Sequence, residues 1–236
     1  MNDSVFHIPI MKGNAAFNMA FDFMLLDELS DKSWIRHYGW ERESYTYGYS
    51  QKFSEVLLEV ENEEGDLCRR PTGGGVVCHV NDWTYSLMIS AKAIAYKIPS
   101  KDLYNRIHLL IARTFESFNL KTELKPCETE KIEKKSGASV CFRSPVPFDV
   151  ILSSSKLKVA GAAIKRNRKG ILLQGSISKD ILNEGDWKLF EERFFKTMAD
   201  DLGLELTESP LLDVSNPSFD GIVARFLSDA WNRKIA

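Results

Sequence analysis

Cys68-Arg69-Arg70-Pro71-Thr72-Gly73-Gly74-Gly75-Val76-Val77-Cys78-His79 is the stretch on which the reading of this chain turns. Three consecutive glycines between two arginines and a β-branched run contribute little to a hydrophobic core, so their value lies in the backbone. Glycine accepts positive φ and lets N–H groups approach a bound molecule closely, and adjacent arginines supply charge for a carboxylate or a phosphate. A glycine-rich hairpin loop with two solvated arginines is the other reading these residues allow. The segment is not a nucleotide P-loop, because no G-K-[ST] follows, and it lacks the G-x-G-x-x-G spacing of a dinucleotide site.

Upstream, Phe17, Phe21, Met24, Leu25 and Leu29 recur at helical spacing and predict an amphipathic helix over 15–29. Asn18 and Asp22, four apart on its polar stripe, are placed to hold that helix to a sheet. The aromatic runs 34–40 and 45–51 read as two strands of one hairpin, and 53–63 as a short acidic helix. A strand follows at 83–89, then the clearest helix, 102–120, with Leu103, Ile107, Leu110, Ile111, Phe115 and Phe118 on its apolar stripe. Lys125 to Ser139 is polar and lysine-rich, and reads as a loop. Strands at 148–153, 157–164 and 170–177, joined by short turns, make an antiparallel meander, and helices at 187–202 and 219–231 close the chain. This mixture of hairpins and helices is an α+β pattern, one sheet with helices packed against it, and 1–236 reads as a single domain.

The 236 residues hold 31 Lys plus Arg against 33 Asp plus Glu, a formal net charge of −2, so a general nucleic-acid binder is not indicated. Cys68, Cys78, Cys127 and Cys141 have no C-x-x-C spacing and no nearby histidine ladder, which argues against a zinc site or a disulfide framework and for reduced thiols. No metal site is expected. Neither a signal peptide nor an apolar run near the ~18 residues of a membrane span is visible, so the expected compartment is the cytoplasm, away from membranes.

The pattern R-R-x-[ST]-G-G-G-x-V-x-H, carried by Arg69, Arg70, Thr72, Gly73, Gly74, Gly75, Val77 and His79, resembles the lipoate–protein ligases, octanoyltransferases and biotin–protein ligases, which share one catalytic domain. Supporting resemblance lies in Asn18-Met19-Ala20-x-Asp22, in Arg36-x-Tyr38-x-Trp40 leading to Gly48-x-x-Gln51, and in Lys158-Val159-Ala160-Gly161-x-Ala163 followed by Gly175-Ser176. These elements run from about residue 14 to 178 in the family's order. The resemblance implies a class II synthetase-like fold with a mixed, mainly antiparallel sheet and flanking helices. It also implies that 236 residues leave no room for the C-terminal accessory domain of longer ligases.

The resemblance assigns Lys158 to the acyl carbonyl and the phosphate of an acyl-adenylate, where a cation stabilises developing charge. It assigns Arg69, Arg70, Thr72, Gly73, Gly74, Gly75 and His79 to enclosing the acyl-adenylate, and Ala160, Gly161 and Ala163 to the acyl slot. By strict strand alternation Lys158, Ala160 and Ala162 share one face, with Gly161 and Ala163 opposite. The family often has histidine where Gln174 stands here. Cys141, in Cys141-Phe142-x-x-Pro145-x-x-x-Asp149, looks like the cysteine of one octanoyltransferase branch, as does Trp83-Thr84-Tyr85-Ser86, whereas Gly75 looks like the ligase motif.

The main expectation is therefore an ATP- and Mg2+-dependent ligase that attaches lipoate or octanoate to a specific lysine of lipoyl-domain proteins, namely the E2 subunits of 2-oxoacid dehydrogenases and the glycine cleavage H protein. The alternatives are a Cys141-dependent transfer of octanoate from acyl carrier protein to the same domains, and a non-catalytic lipoate-binding module. The basic turn Lys165-Arg166-Asn167-Arg168-Lys169 reads as a hairpin tip one strand length from Lys158.

Overall fold

The computed structural model of the chain describes residues 3–62, 64–127, 145–210 and 212–233. Cys141 and most of the expected loop at 125–139 lie outside the described residues.

In chain order the elements begin with β1 (Asp3–Gly13), α1 (Ala15–Asp27), β2 (Ser33–Trp40), β3 (Ser44–Tyr47), α2 (Phe53–Val56), β4 (Asp66–Arg69), β5 (Val77–Cys78) and β6 (Asp82–Ser90). They continue with α3 (Ser100–Glu116), β7 (Thr122–Leu124), β8 (Val150–Leu152), β9 (Lys158–Arg166) and β10 (Gly170–Ser178). The last are α4 (Trp187–Asp201), β11 (Leu204–Glu208), α5 (Pro217–Leu227) and α6 (Asp229–Asn232). One sheet of eight strands runs in the order β11-β1-β2-β6-β10-β9-β8-β7, and a second of three runs β4-β3-β5. Among the described residues only β1 pairs in parallel within the large sheet, with β11 and with β2, so the sheet is mixed and mainly antiparallel as expected.

The expected hairpin of 34–40 with 45–51 does not form. Strand β2 already has β1 and β6 as its two neighbours, leaving no edge for β3, which instead becomes the central strand of the small sheet. The strands that escaped the sequence pattern include β1, whose register shifts between Ile8 and Met11 and so breaks alternation, and the short edge strand β11. The helix expected over 53–63 is a single turn, and the last helix is interrupted at Ser228, whose side chain accepts from Trp231 N and starts α6.

The sheet is covered on both faces, which is why every residue of β6 is buried. Trp83, Tyr85, Leu87 and Ile89 point into one core with Phe115 of α3 and Phe190 and Phe194 of α4. On the other face Met88, Leu172 and Trp34 pack beneath α1 and α5. The remaining inward positions on that second face, Thr84 and Ser86 of β6 and Gln174 and Ser176 of β10, are polar and buried. They form the floor beneath the small sheet and the start of α1.

Helix α4 is tied to the parallel strands by Glu191, whose carboxylate meets His37 Nδ1 at 2.8 Å and His7 Nε2 at 3.4 Å. Burial alone would raise the Glu191 carboxyl, but hydrogen bonds from His37 and then His7 outweigh it and bring it down to about 2. The hydrogen bond to Glu191 in turn holds His7 above its usual range of 6.5, against partial desolvation. The depressed carboxyl stabilises the fold above its unfolded value of 4.5 and loses that contribution as pH falls towards 2. The raised imidazole contributes fully below 6.5 and loses its contribution as pH rises through its folded value. Glu191→Gln is therefore expected to lower Tm by about 3–6 °C near pH 6 and by less near pH 8.5. Equal losses at both pH values, measured by thermal unfolding, would exclude a titrating pair.

Candidate active site

The cleft is an opening of about 510 Å³ between the polar floor of the large sheet and the small sheet. Its apolar wall is Met19, Tyr38, Val77, Ala162 and Ala163, and Lys158 and His79 also face it. An apolar cleft with a few fixed polar groups suits a ligand with a hydrocarbon body and one reactive end.

The glycine run reaches the cleft because it joins β4 to β5 across the end of β3. Arg70 N donates to Tyr47 O, and Tyr49 N donates to Thr72 O at 2.8 Å. Gly48 and Gly74 touch backbone to backbone: a Cβ on Gly48 would sit 1.9 Å from Gly74 O. Gly74 itself has φ +91°, the left-handed region that favours glycine.

The two arginines part company: Arg70 lines the cleft, whereas Arg69 is buried behind it. Arg70 is buried, donating from Nε and Nη2 to Gly73 O, from Nη2 to Gly75 O at 2.7 Å, and from Nη1 to Thr46 O at 3.0 Å. It braces the glycine loop from inside and lines the cleft. Arg69 is 1% exposed and does not reach the cleft. Its Nε donates to Trp231 O, its Nη2 to Asn232 O and its Nη1 to Tyr49 O and Gln51 O, and Trp231 Nε1 donates back to Arg69 O. The C-terminal helix α6 is thus clamped onto the back of the loop, an arrangement no local pattern around residue 69 announces. Burial excludes the solvated-hairpin reading for both: a buried guanidinium needs its donors satisfied, and backbone carbonyls satisfy most of them.

Strand alternation also fails where it matters. Between β8 and β9 the register shifts, so that Val150 pairs with Ala160 and Ile151 with Lys158. The extra residue lets Val159 and Ala160 both enter the core and turns Lys158 to the face of Gly161. A Cβ on Gly161 would lie 2.6 Å from Lys158 Nζ, which explains physically why the lysine and the glycine occur three apart. Lys158 therefore lines the cleft with Gly161, Ala162 and Ala163, while Ala160 is a core residue and not part of the slot. Lys158 Nζ pairs with Asp149 Oδ2 at 2.9 Å.

His79 faces the cleft between two partners, Nδ1 to Asp82 Oδ2 at 2.7 Å and Nε2 to Thr46 Oγ1 at 2.8 Å, with Trp40 stacked on the ring at 4.0 Å. Asp82 also accepts from Ser176 and Thr84. Burial would raise the Asp82 carboxyl, yet the His79 ring and these hydroxyls hold it below its usual range. Thr72 is buried and donates to Oε1 of the cleft-lining Gln174 at 2.7 Å, and Gln174 Nε2 donates to Asp22 Oδ2 at 2.7 Å. Asp22 in turn pairs with buried Arg36 at 2.8 Å, and Asn18 Nδ2 donates to Gly13 O and Gly39 O. The expected structural role of Asn18 and Asp22 matches these contacts. Gln174 thereby links the glycine loop to α1, a role its sequence position did not reveal. In the basic turn, Lys165 sits over the Tyr49 ring at 5.1 Å and Lys169 pairs with Asp27 at 2.8 Å.

The profile of the lipoyl protein ligase A/B catalytic domain matches residues 14–187. This chain belongs to that family. It is an enzyme of the lipoate ligase and octanoyltransferase group. The octanoyltransferase LipM of Brevibacillus brevis is 29% identical over 92% of this chain and 94% of that protein. The LipM of Bacillus subtilis is 34% identical over 77% of this chain and 68% of that protein. Among solved structures, a lipoate-protein ligase A bound with ATP superposes with a TM-score of 0.70 at 17% identity, each chain covered completely. A bipartite lipoate protein ligase from Thermoplasma acidophilum gives 0.68 at 15% identity, over 100% of this chain and 98% of that one. These two share the fold. The family match ends at residue 187, so the clamp formed by Trp231 and Asn232 on Arg69 lies beyond it.

Proposed function

We propose that this enzyme transfers an octanoyl group from acyl carrier protein to a specific lysine of a lipoyl domain, as found in E2 subunits and the glycine cleavage H protein, with Cys141 holding the group between the two steps. The Cys141 thiolate attacks the carrier thioester carbonyl and expels the carrier thiolate. The lysine of the lipoyl domain, having lost a proton, then attacks the enzyme thioester, forming the amide and releasing Cys141, whose sulfur takes up the second proton lost by the nitrogen. Lys158 stabilises the negative charge that develops on the carbonyl oxygen in both steps, and the cleft beside Gly161, Ala162 and Ala163 takes the hydrocarbon chain.

The observation that carries this reading over adenylation is the direction of the two arginines. An ATP-dependent ligase needs cations for the phosphates; of the three expected here Arg69 does not line the cleft, Arg70 lines it with its donors directed at Thr46, Gly73 and Gly75, and Lys158 is paired with Asp149. The octanoyltransferase relatives support the same route. Burial pushes the Cys68 thiol well up from its usual value, so this cysteine does not supply a ready thiolate. The ATP- and Mg2+-dependent ligase is the second reading, favoured by the ligase-like Gly75.

The deciding measurement incubates the protein and a lipoyl domain either with octanoyl carrier protein or with octanoate, ATP and Mg2+, and weighs the domain. The expected result is a mass increase of one octanoyl group with the carrier donor, through a thioester that Cys141→Ser no longer forms. Acylation with the ATP mixture alone, or full transfer by Cys141→Ser, would sink the transferase reading.

A further inference from the structure

Lys158 is held by a buried structure of its own. Asp149 is fully buried and places Oδ2 2.9 Å from Lys158 Nζ. Its carboxylate is itself fixed by two further donors, Val146 N to Oδ2 at 2.8 Å and the Tyr104 hydroxyl to Oδ1 at 2.5 Å. Tyr104 Oη in turn accepts the Ala162 N–H at 3.3 Å, so the chain of contacts that leaves β9 at Lys158 returns to β9 at Ala162. The turn that delivers Asp149 is locked as well: Asp149 N donates to Val146 O and Lys125 N to Asp149 O. Within that turn Phe148 adopts φ +72°, a backbone conformation rare for a bulky residue and maintained where the surroundings over-determine it.

A lysine side chain has four rotatable bonds and a strongly hydrated head, and left to itself it seeks water. Here the side chain is 6% exposed, and an ammonium buried to that extent is stable only against a carboxylate. Gly161 removes the steric alternative from below, and Asp149 determines where the nitrogen sits above it. Charge stabilisation of an acyl oxygen depends on the donor standing within a fraction of an ångström of its place before the reaction begins.

We propose that Asp149 is the positioning residue for Lys158, with Tyr104 as its support, setting where the ammonium meets the acyl carbonyl. Asp149 touches no substrate in this role; it acts through Lys158. The inference rests on the function proposed above for Lys158, and holds for either acyl donor because the carbonyl is met by the same ammonium.

The test compares Asp149→Asn and Tyr104→Phe, each alone and in a Lys158→Met background, with octanoyl carrier protein and with octanoate plus ATP and Mg2+ as donors. Asp149→Asn is expected to lower kcat about 100-fold and Tyr104→Phe about 5–10-fold, each with KM for the donor within about threefold. In the Lys158→Met background neither change should lower the residual rate further, because the group they position is gone. If both variants lower Tm yet leave kcat of the folded protein within about twofold, Asp149 is merely structural and the proposal is overturned. It is equally overturned if their effects multiply undiminished with that of Lys158→Met. Should Asp149→Asn not fold, Tyr104→Phe, which loses a single hydroxyl, decides alone. Turnover with the ATP mixture only would remove the transferase reading and leave this test intact; no turnover with either donor overturns both.

Discussion

Lys158→Met is expected to lower octanoyl transfer by about 100–1000-fold in kcat, the range found when a preorganised donor to a developing oxyanion is removed. Met keeps the length and the apolar stem, so the cleft lined by Gly161, Ala162 and Ala163 retains its shape. Asp149 keeps its hydrogen bonds from Tyr104 and Val146 N but loses its counter-charge, so Tm should fall and the rate is compared on the folded protein. Lys158→Arg should fail to rescue the rate although it keeps the charge. The ammonium lies closely over Gly161, where a Cβ would already be 2.5 Å from Lys158 Cε, and a planar guanidinium has no room there. Single-turnover kinetics with circular dichroism of the same samples checks both claims. An Arg variant with wild-type kcat would mean that any nearby cation suffices and that position does not matter.

Gly48→Ala carries the second large effect. The new Cβ would stand 1.9 Å from Gly74 O, a backbone atom, so either the glycine loop or the end of β3 must shift by about an ångström or more. Such overpacking costs about 1–3 kcal/mol, and on a chain of this size that lowers Tm by roughly 3–10 °C. The shift also moves the loop that forms one side of the cleft, so KM for the acyl donor should rise at least tenfold. The glycines of the loop are then expected to rank by geometry. Gly73→Ala meets nothing within 4 Å and should retain activity within about threefold. Gly74→Ala must hold φ +91° with a side chain, which costs about 1–2 kcal/mol. Equal tolerance at 48, 73 and 74 would show that the loop is pliable and does not depend on that contact.

Much of the molecule is legible in its order of residues. The helices α1, α3 and α4 follow from the period of their apolar residues, β6 from its alternation of apolar and polar residues although both its faces are buried, and β9 and β10 from the short turns that bound them. The strands β1 and β11 carry no such period: β1 shifts register midway, and β11 is a short edge. The hairpin assigned to 34–40 and 45–51 was wrong for a different reason. Adjacency in sequence favours pairing, but the neighbours of β2 are set by the whole sheet, and β6 comes from more than 40 residues further on.

The candidate site divides in the same way. Glycines flanking arginines, a lysine three residues before a glycine, and their order along the chain are local facts, and they sufficed to name the family and to single out Lys158. Asp149 was visible only as the last residue of the Cys141 pattern, and Tyr104 gave no signal at all on its helix. Thr46 looked like an ordinary strand residue, and Thr84 and Gln174 were marked only by the resemblance, until the small sheet was laid over the large one.

By itself, then, the amino-acid order determined the family, the fold class and the lysine at the cleft, because these rest on short local motifs and on their order along the chain. Only the tertiary structure decided what the charged groups do. A guanidinium at Arg69 can satisfy a phosphate or a carbonyl equally well, and its carbonyls come from Trp231 and Asn232, more than 160 residues away. One extra residue between β8 and β9 reverses which side chains Lys158 joins. Hydrogen-bond partners and strand parity are settled by what the fold brings together, and the local sequence carries no record of either.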